Sequence, residues 1–472
     1  MRTLIASALL LALAGCTVGP DYQRPQQALP SGFKEGAAFQ RAAANPQGAL
    51  HSQWWLDYHD ATLNRLVEQA NSANQSIAAA EAAYRLANAQ VAASRASLWP
   101  TVGVGLSGAR GVGESGSSSS AAAASTTGVS QSVSATLTAS WEPDLWGQVR
   151  RGIESSNALA QSSDALLAGV RLSIAASVAT DYFAVRQLDI DIRLLKDQQR
   201  IDQQLQDMTQ AEFVQGTATN DQLLVAQDQL TAVVAALQTS QRSREQYEHA
   251  LAVLAGQAPA QFSLAPLADY SFAVLRPPLA MPSGLLQRRP DVVSAERTAA
   301  AANARIGVAE AAFYPDLTLT AEGGYRGSAL GGLFSLPNRV WLLGPALAET
   351  IFDGGARRAA VNEAQATYDQ DAANYRGAVL TALQNVEDNL SALNHLQQQA
   401  DAYQQIFQRN QQLFGSQQAQ QQAGTVSRQN VLTQQLVLLQ AEQNLRDTQG
   451  QLGQGSVALI QSLGGGWQGS AQ

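Results

Sequence analysis

The chain is written twice, and this internal duplication restricts its fold more than any other feature. The stretch EAAYRLANAQVAASRASLWPTVGV, which begins at Glu81, matches ERTAAAANARIGVAEAAFYPDLTL, which begins at Glu296. Further along, GTATNDQLLVAQ from Gly216 matches GTVSRQNVLTQQ from Gly424. Duplication at this scale predicts two copies of one structural unit. We expect each copy to read helix, strand, loop, strand, long helix, turn, long helix.

Each repeat carries two segments in which apolar and polar residues alternate. In SVSATLTASW, apolar side chains occupy every second position from Val133 to Trp141. A period of two predicts a β-strand with one apolar and one polar face. The predicted strands lie near residues 101–113, 131–142, 316–326 and 338–348. About ten residues is the length of a tilted transmembrane strand. The fourth strand is the least regular, and a bulge at Pro345 is one expectation, since proline cannot donate a ladder hydrogen bond.

Long helices are predicted to follow the strands. The chain has no proline between Pro143 and Pro259 and none after Pro345. A helix from Leu145 to Phe213 would be roughly 100 Å long at 1.5 Å per residue. After the first turn, apolar residues recur in steps of three and four, which is the coiled-coil period, and the second repeat has the same seam with more small or polar interruptions.

The composition argues against a nucleic-acid-binding protein, and the hydropathy pattern restricts how the chain could span a membrane. Charged residues make up 14% of the chain and its net charge is −8. We find no long basic run, so a nucleic-acid partner is not expected. After residues 1–15 no stretch has 18 consecutive apolar residues, so a transmembrane helix is not expected. If the chain spans a membrane, it must therefore span it as a closed β-barrel. Four strands cannot close a barrel around a lumen, since single-chain barrels start at about eight strands. Three copies would give twelve strands, and we take a trimer as the smallest oligomer that gives an open pore.

The N-terminus predicts a secreted lipoprotein. Residues 1–15 combine Arg2 with a short apolar run, as a signal peptide does. The run ends in Leu-Ala-Gly followed by Cys16, the only cysteine, which looks like a bacterial lipobox. We therefore expect a covalent lipid, N-acyl and S-diacylglycerol, on Cys16. The alternative is an ordinary signal peptide with an incidental cysteine. Thr17 is not the aspartate that marks inner-membrane retention, so we expect the outer membrane.

Catalytic and metal-binding signals are weak. We find no nucleophile elbow and no phosphate-binding loop, and we expect neither an enzyme nor a cofactor other than the lipid. The four histidines are scattered without partners at ligand spacing, so no metal site is expected. These are His51, His59, His249 and His395. RRPD from Arg288 is interpreted as a helix entry, with Pro290 in the first turn and Asp291 suited to the helix dipole.

The chain resembles the TolC/OprM family of outer-membrane efflux ducts, in its lipoprotein, drug-pump (NodT-like) branch. The resemblance rests on the lipobox, VGPDY, WWLDYHDATLNRLV, RRPDVVSAE, FYPDLTL, FDGG and the two Gly-Thr turns, in this order. It implies an α+β membrane protein, a trimeric 12-stranded outer-membrane β-barrel with four strands per chain that continues into a long periplasmic α-helical coiled-coil barrel. It also implies a tripartite pump with a periplasmic adaptor (membrane fusion) protein and an inner-membrane transporter of the proton-driven RND type.

This resemblance explains why strands with an apolar outer face lead directly into long helices. Pro143 would mark the boundary between the membrane and the periplasm. Trp99, Trp141, Trp146 and Tyr314 cluster there, as an interfacial aromatic belt would. The alternative is that these rings fill the core.

The two Gly-Thr turns would form the constricted periplasmic tip. The resemblance implies adaptor contacts at Gly216, Thr217, Gly424 and Thr425. Family members often carry aspartates six and nine residues after the second glycine, as acidic rings at the gate. The corresponding candidates in this chain are Asn430 and Thr433 in the second repeat, and Gln222 with its neighbour Asp221 in the first. We therefore expect a gate without the family's acidic rings, unless these residues only pack the turns.

The expected domain order follows from the repeats. The segments are 1–15 (signal peptide), 16–60 (lipid-anchored segment), 61–258 (first repeat), 259–282 (linker) and 283–472 (second repeat). Three functions are compatible with these patterns: an exit duct for drugs or other small toxic compounds, a duct for protein secretion or metal efflux, and a non-channel coiled-coil scaffold of the envelope. The alternating strands argue against a scaffold, and the resemblance to the drug-pump branch favours the first. No sequence feature identifies the cargo.

Overall fold

The computed structural model describes residues 17–36, 51–114, 127–276 and 288–467. The predicted signal peptide and the predicted lipid attachment at Cys16 lie outside the described residues.

The two halves of the chain contain matching elements. The first half gives α1 (Ala61–Ala73), α2 (Gln75–Ala96), β1 (Thr101–Glu114), β2 (Thr127–Trp141), α3 (Gln148–Val214) and α4 (Asn220–Leu254). The second half gives α5 (Pro290–Ala311), β3 (Asp316–Gly327), β4 (Arg339–Ala348), α6 (Ala356–Gln422) and α7 (Arg428–Ser462). Helices α3 and α6 have 67 residues each, and α4 and α7 have 35 each, so equivalent long helices are equal in length. The class is α+β, with long helices and one small antiparallel sheet.

The strands form one sheet in the order β1-β2-β3-β4, and every neighbouring pair is antiparallel. β2 begins at Thr127, four residues before the predicted start, because its ladder with β1 continues past Gln131, where the apolar alternation stops. The register of β3 and β4 runs without interruption through Pro345, which lies opposite Leu319. The bulge that we considered there is therefore absent. Within one copy β4 is an edge strand of the sheet, and its ladder with β3 accommodates the proline.

The chain divides into two compact units. The first unit comprises the described parts of Met1–Pro25, Arg85–Ser162 and Glu296–Asn374, and it contains the sheet. The second comprises those of Gln26–Tyr84, Ser163–Ala295 and Tyr375–Gln472, and it contains both Gly-Thr turns.

In the first unit, an extended segment that starts at Thr17 is fastened to α3 and α5. Arg151, the side chain of which is 6% exposed, donates to the carbonyl oxygens of Val18 (3.2 Å) and Gly19 (3.0 Å). Asn303 donates its side-chain amide to the carbonyl of Pro20 at 2.9 Å. The segment crosses α5 where Gly19 lies against Gly307. Because Gly19 also has a φ of +99°, only small residues fit at this crossing. The VGPDY motif therefore holds the residues that follow Cys16 in a fixed path.

The second unit has an aromatic core, to which the WWLDYHD motif belongs. Trp54 and Tyr58 lie in a 3-10 turn (Trp54–Tyr58) and are 1% and 6% exposed. Asp60 accepts from the backbone of Thr62 to cap α1, and its other oxygen accepts from the hydroxyl of Tyr182 at 2.7 Å. The motif thus has a structural role in packing and capping.

Most positions of the predicted helix seams are buried or half-buried, although Tyr247 on α4 is 39% exposed. On α4 the buried positions include Leu223, Val233, Leu237 and Leu251. On α7 they include Val431, Ala441, Leu445, Leu452 and Leu459. RRPD is the helix entry that we predicted, since α5 begins at Pro290 and Asp291 accepts from Arg289 at 2.7 Å.

One helix in the described part of the chain, α3, is long and apolar enough to meet a simple criterion for a membrane span. Its most apolar window of 18 residues has a mean hydropathy of 1.2, and 39% of that window is buried. This differs from the expectation drawn from runs of consecutive apolar residues. Since α3 also contributes Ala176, Val178 and Phe183 to the core of the second unit, packing accounts for much of its apolar character.

Candidate functional site

The first candidate site is the sheet, because its register collects the apolar residues of all four strands on one face. Residues paired across an antiparallel ladder lie on the same face. Leu137, for example, pairs with Val104 on one side and with Gly323 on the other. The apolar members of this face are Val102, Val104, Leu106, Val112, Val129, Val133, Ala135, Leu137, Ala139, Trp141, Leu317, Leu319, Ala321, Tyr325, Trp341, Leu343, Pro345 and Leu347. We call this surface the apolar face.

Much of the apolar face is open to its surroundings. Val104 is 77% exposed, Leu106 78% and Leu343 75%. Contiguous exposed apolar surface marks an interaction with lipid or with another protein. This surface continues to both edge strands, β1 and β4.

The opposite face, which we call the polar face, carries hydroxyl and charged groups. Ser107 and Ser134 hydrogen-bond to each other at 2.7 Å, and Arg326 forms an ion pair with Glu322 at 3.4 Å. The polarity declines on β4, where Leu342 is 57% exposed on this face. Water can therefore be accommodated on one side of the sheet and an apolar medium on the other.

Aromatic residues lie where the strands meet the helices. Trp141 is 38% exposed and donates its indole N–H to the carbonyl of Leu98 at 3.0 Å. Trp99 is 73% exposed. Trp146 is half-buried and stacks on Tyr314, with ring centroids 4.9 Å apart. The predicted aromatic group is thus divided between exposed rings, which suit a membrane interface, and one stacked pair.

The second candidate site is the pair of Gly-Thr turns, which have the same geometry. Gly216 and Gly424 have φ angles of +74° and +76°, a conformation that favours glycine. Both following threonines cap the preceding helix. The hydroxyl of Thr217 donates to the carbonyl of Glu212 at 2.9 Å, and that of Thr425 donates to Gln420 at 3.0 Å.

Asp221, Gln222 and Asn430 lie in the first turns of α4 and α7, and Thr433 lies in the second turn of α7. All four are exposed, and their side chains differ in what they contact. Gln222 belongs to a capping box with Thr219, because each side chain accepts from the other's backbone N–H, at 2.8 and 3.2 Å. Thr433 donates its hydroxyl to the carbonyl of Gln429 at 2.9 Å. Asp221 lies in the first turn of α4, where the helix dipole favours a negative charge.

Asn430 is the fourth candidate, and its backbone N–H donates to the hydroxyl of Ser427 at 3.2 Å. Ser427 and Thr219 are thus equivalent N-caps in the two repeats. The structure brings Asp221 and Gln222 together on one turn and Asn430 and Thr433 on the other.

Sequence reasoning missed a carboxylate pair between the repeats. The side-chain Nε2 of Gln187 on α3 donates both to Asp191, at 3.1 Å, and to Asp447 on α7, at 2.7 Å. Desolvation by burial and then the nearby Asp447 charge raise the pKa of Asp191 to about 7. Residues so far apart in the chain give no local signal of their contact.

A buried charge network was missed as well. Asp189, the side chain of which is 1% exposed, accepts from Arg186 at 2.9 Å and from Arg244 at 2.7 Å. The same arginines donate to the carbonyls of Ala265 and Leu264, so they hold the segment after α4 against α3 and α4. Among the described residues, no group of three or more His, Cys, Asp or Glu side chains could hold a metal ion.

Comparisons with known proteins agree with this architecture. The model of the family described as outer membrane efflux protein matches residues 66–257 and 281–465. The toluene efflux pump outer membrane protein TtgC of Pseudomonas putida is 30% identical over 464 residues, which cover 96% of this chain and 93% of that protein. The pyoverdine export outer membrane protein OpmQ of Pseudomonas aeruginosa is 31% identical over 484 residues, with 100% and 98% covered.

A solved structure has the same fold over nearly the whole chain. The MtrE outer membrane channel of Neisseria gonorrhoeae, in its open state, superimposes with a TM-score of 0.80 at 26% identity, covering 97% of this chain and all of that one. TtgC is named as the outer membrane protein of an efflux pump, and MtrE is named as an outer membrane channel. The chain therefore belongs to the outer membrane efflux protein family, and it is the outer-membrane component of an efflux pump that extends into the periplasm.

Proposed function

We propose that three copies of this chain close their strands into one 12-stranded barrel and their long helices into a periplasmic barrel, and that the resulting duct passes small toxic compounds to the exterior. The observation that carries the proposal is the register of the sheet, which places an exposed apolar face on all four strands and hydroxyl or charged side chains on the opposite face of β1, β2 and β3. The apolar face would contact lipid, and the polar face would line the aqueous lumen.

The two edges of the sheet support closure by further copies. A membrane-embedded sheet cannot leave edge N–H and C=O groups unpaired, because lipid offers no hydrogen bonds. Four strands are too few to enclose a lumen, so pairing of β4 with β1 of the next copy is the simplest closure. The equal lengths of α3 and α6 and of α4 and α7 suit a helical wall built from repeats.

Our proposal for the cargo rests on the side chains of the polar face and on the names of related proteins. In the described strands the polar face carries mainly hydroxyl side chains and glycines, and such small groups would let a range of small molecules pass. TtgC is named for toluene and OpmQ for pyoverdine export. Small toxic compounds remain our proposed cargo, delivered by an RND-type transporter and received through an adaptor that contacts the turns at Gly216, Thr217, Gly424 and Thr425. The proposed role requires no catalytic residue.

Oligomeric state and conductance together test the duct. The protein purified in detergent is expected to have the mass of a trimer by light scattering and to give ion-conducting channels in planar bilayers. A monomer with full native β-content by circular dichroism would contradict the 12-stranded barrel. A trimer that never conducts would instead favour the scaffold function.

The proposed lipid on Cys16 has its own test. Labelled fatty acid fed to cells is expected to appear in the unmodified protein and to be absent from the Cys16→Ser variant. Labelling of the Cys16→Ser variant would show that acylation occurs elsewhere. The fixed path of residues 17–22 supports this proposal, since it holds the start of the predicted mature chain close to Trp146, beside the strand–helix junction.

A further inference from the structure

Near its outward end the apolar face carries two arginines that the duct itself does not use, and Val112 follows Arg110 on the same face of β1. Arg110 on β1 pairs with Gln131, and Arg339 on β4 pairs with Tyr325, so both lie on the apolar face. Both are exposed, and neither has an ion pair within the described parts of the chain. Arg326, by contrast, lies on the polar face and pairs with Glu322. Two unpaired cations on a lipid-facing surface would be costly anywhere except near its boundary with the headgroups.

The position of Arg110 along the strand agrees with such a boundary. Gln131, its partner, is ten residues from Trp141 on β2. Ten residues at about 3.3 Å each, in a strand tilted by about 40°, span a height of about 25 Å. This is close to the typical height of the apolar band of an outer-membrane barrel, about 25 Å. Since Trp141 lies beside the periplasmic helices, Arg110 would lie at the opposite, exterior headgroup level.

The loop between β3 and β4 reinforces this interface. Its Phe334 contacts Tyr325 on the apolar face, with ring centroids 5.4 Å apart. Phe334 is nevertheless 71% exposed, and Leu336, three residues before Arg339, is 79% exposed. Exposed apolar side chains next to an unpaired cation are typical of a surface that meets lipid tails and anionic headgroups together.

We infer that Arg110 and Arg339 form a phosphate-binding belt for anionic lipid of the exterior leaflet. This inference rests on the proposed duct, in which β4 of one copy adjoins β1 of the next. That closure puts Arg339 of one copy and Arg110 of its neighbour on the two strands of each seam. A guanidinium group recognises phosphate oxygens in a bidentate manner, so a phosphorylated glycolipid anchored by its acyl chains on the apolar face fits this surface.

Binding of diphosphorylated lipid A to the purified trimer tests the belt, with native mass spectrometry as the readout. The Arg110→Gln, Arg339→Gln double variant is expected to bind the lipid at least about tenfold more weakly than the unmodified protein. The matched control is Arg326→Gln, which removes a cation from the same sheet but from the polar face, and it is expected to bind normally. The Arg110→Lys, Arg339→Lys variant, which keeps the charges, is expected to retain more binding than the glutamine variant.

Two further arms identify the ligand and separate this inference from the duct itself. Free pyrophosphate is expected not to displace lipid A, and zwitterionic phosphatidylcholine is expected to bind equally to all variants. Displacement by pyrophosphate would indicate a soluble phosphate site instead. Unchanged lipid A binding in a double variant that is trimeric and conducts ions would overturn the belt while leaving the duct intact. Failure of the unmodified protein to form a trimer would count against the duct, and the belt would fall with it.

Discussion

Asp191 of α3 and Asp447 of α7 accept hydrogen bonds from one nitrogen, the Nε2 of Gln187, at 3.1 and 2.7 Å. The two carboxylates belong to different repeats, so this contact joins the halves of the duplicated chain. Burial is the main cause that raises the pKa of both groups, and for Asp191 the charge of Asp447 adds to it. Like charges this close favour retention of one proton by the pair.

The pair is therefore expected to make stability depend on pH. The pKa of Asp191 in the folded chain is about 7, above its ordinary value, so the folded chain binds this proton more tightly than the unfolded chain. Such a group stabilises the fold fully below its unfolded pKa, near about 4, and the contribution is lost as the pH rises through the folded pKa. The melting temperature of the unmodified protein should fall between about pH 5 and pH 8, and that of Asp447→Asn should fall less.

The same helix provides a matched control for this prediction. Gln203 donates to the exposed Asp207 at 2.9 Å, with the same spacing of four residues but without a second carboxylate among the described contacts. Asp207→Asn should leave the pH profile of the melting temperature unchanged. Identical profiles for the unmodified protein and Asp447→Asn would show that the pair shares no proton near neutral pH.

The duplication allowed the secondary structure to be predicted from the sequence. The contacts between the two repeats could not be predicted in this way. The predicted helix end at Phe213 lies within one residue of the end of α3, at Val214, because a long stretch without proline that stops at a Gly-Thr turn is a strong helix signal. Asp191 and Asp447 lie on different helices, and the period of neither helix shows which faces meet. The role of Gln222 could have been found, since Thr-x-x-Gln before a helix is a capping-box signature. The start of β2 was missed because Gln131 interrupts its alternation.

The buried network around Asp189 predicts a large loss of stability when its carboxylate is removed. In Asp189→Ala, the guanidinium groups of Arg186 and Arg244 would lose a buried partner. Breaking a buried ion pair from one side typically costs about 3–5 kcal/mol. Glu81→Ala is the control, since Glu81 pairs with Arg171 at 2.6 Å but both side chains are about half exposed. That change should cost no more than about 1 kcal/mol. Thermal unfolding of the two variants measures the difference, and equal losses would contradict a special role for the network.

The close crossing of the N-terminal segment over α5 predicts a size limit at Gly307. A Cβ added there would lie 2.8 Å from the carbonyl oxygen of Val18 and 2.9 Å from the Cγ of Arg151, both too close. Gly307→Ala should therefore loosen residues 17–25 and expose them to proteolysis, even though alanine favours a helix. Gly152→Ala is the matched change on α3, where a Cβ would meet no atom within 4 Å, and it should stabilise the helix by about 0.5–1 kcal/mol. Limited proteolysis followed by N-terminal sequencing distinguishes them, and equal resistance of both variants would refute the size limit.

The composition of the periplasmic turns predicts a gate that trivalent cations block only weakly. Asn430 and Thr433 offer an amide and a hydroxyl at the positions where the resemblance to the family implies carboxylates. In the proposed trimer, two acidic positions per copy would place up to six negative charges around the opening, and such rings bind multivalent cations. Dipoles bind them far less, and Thr433 already donates its hydroxyl to Gln429. We therefore expect little block of planar-bilayer conductance by micromolar hexamminecobalt added from the periplasmic side, and strong block after Asn430→Asp with Thr433→Asp.

The competing source of charge is Asp221, which is exposed in the first turn of α4 and would supply a ring of three carboxylates. Strong block of the unmodified channel that disappears in Asp221→Asn would show that Asp221 forms the acidic ring and that the neutral gate is wrong.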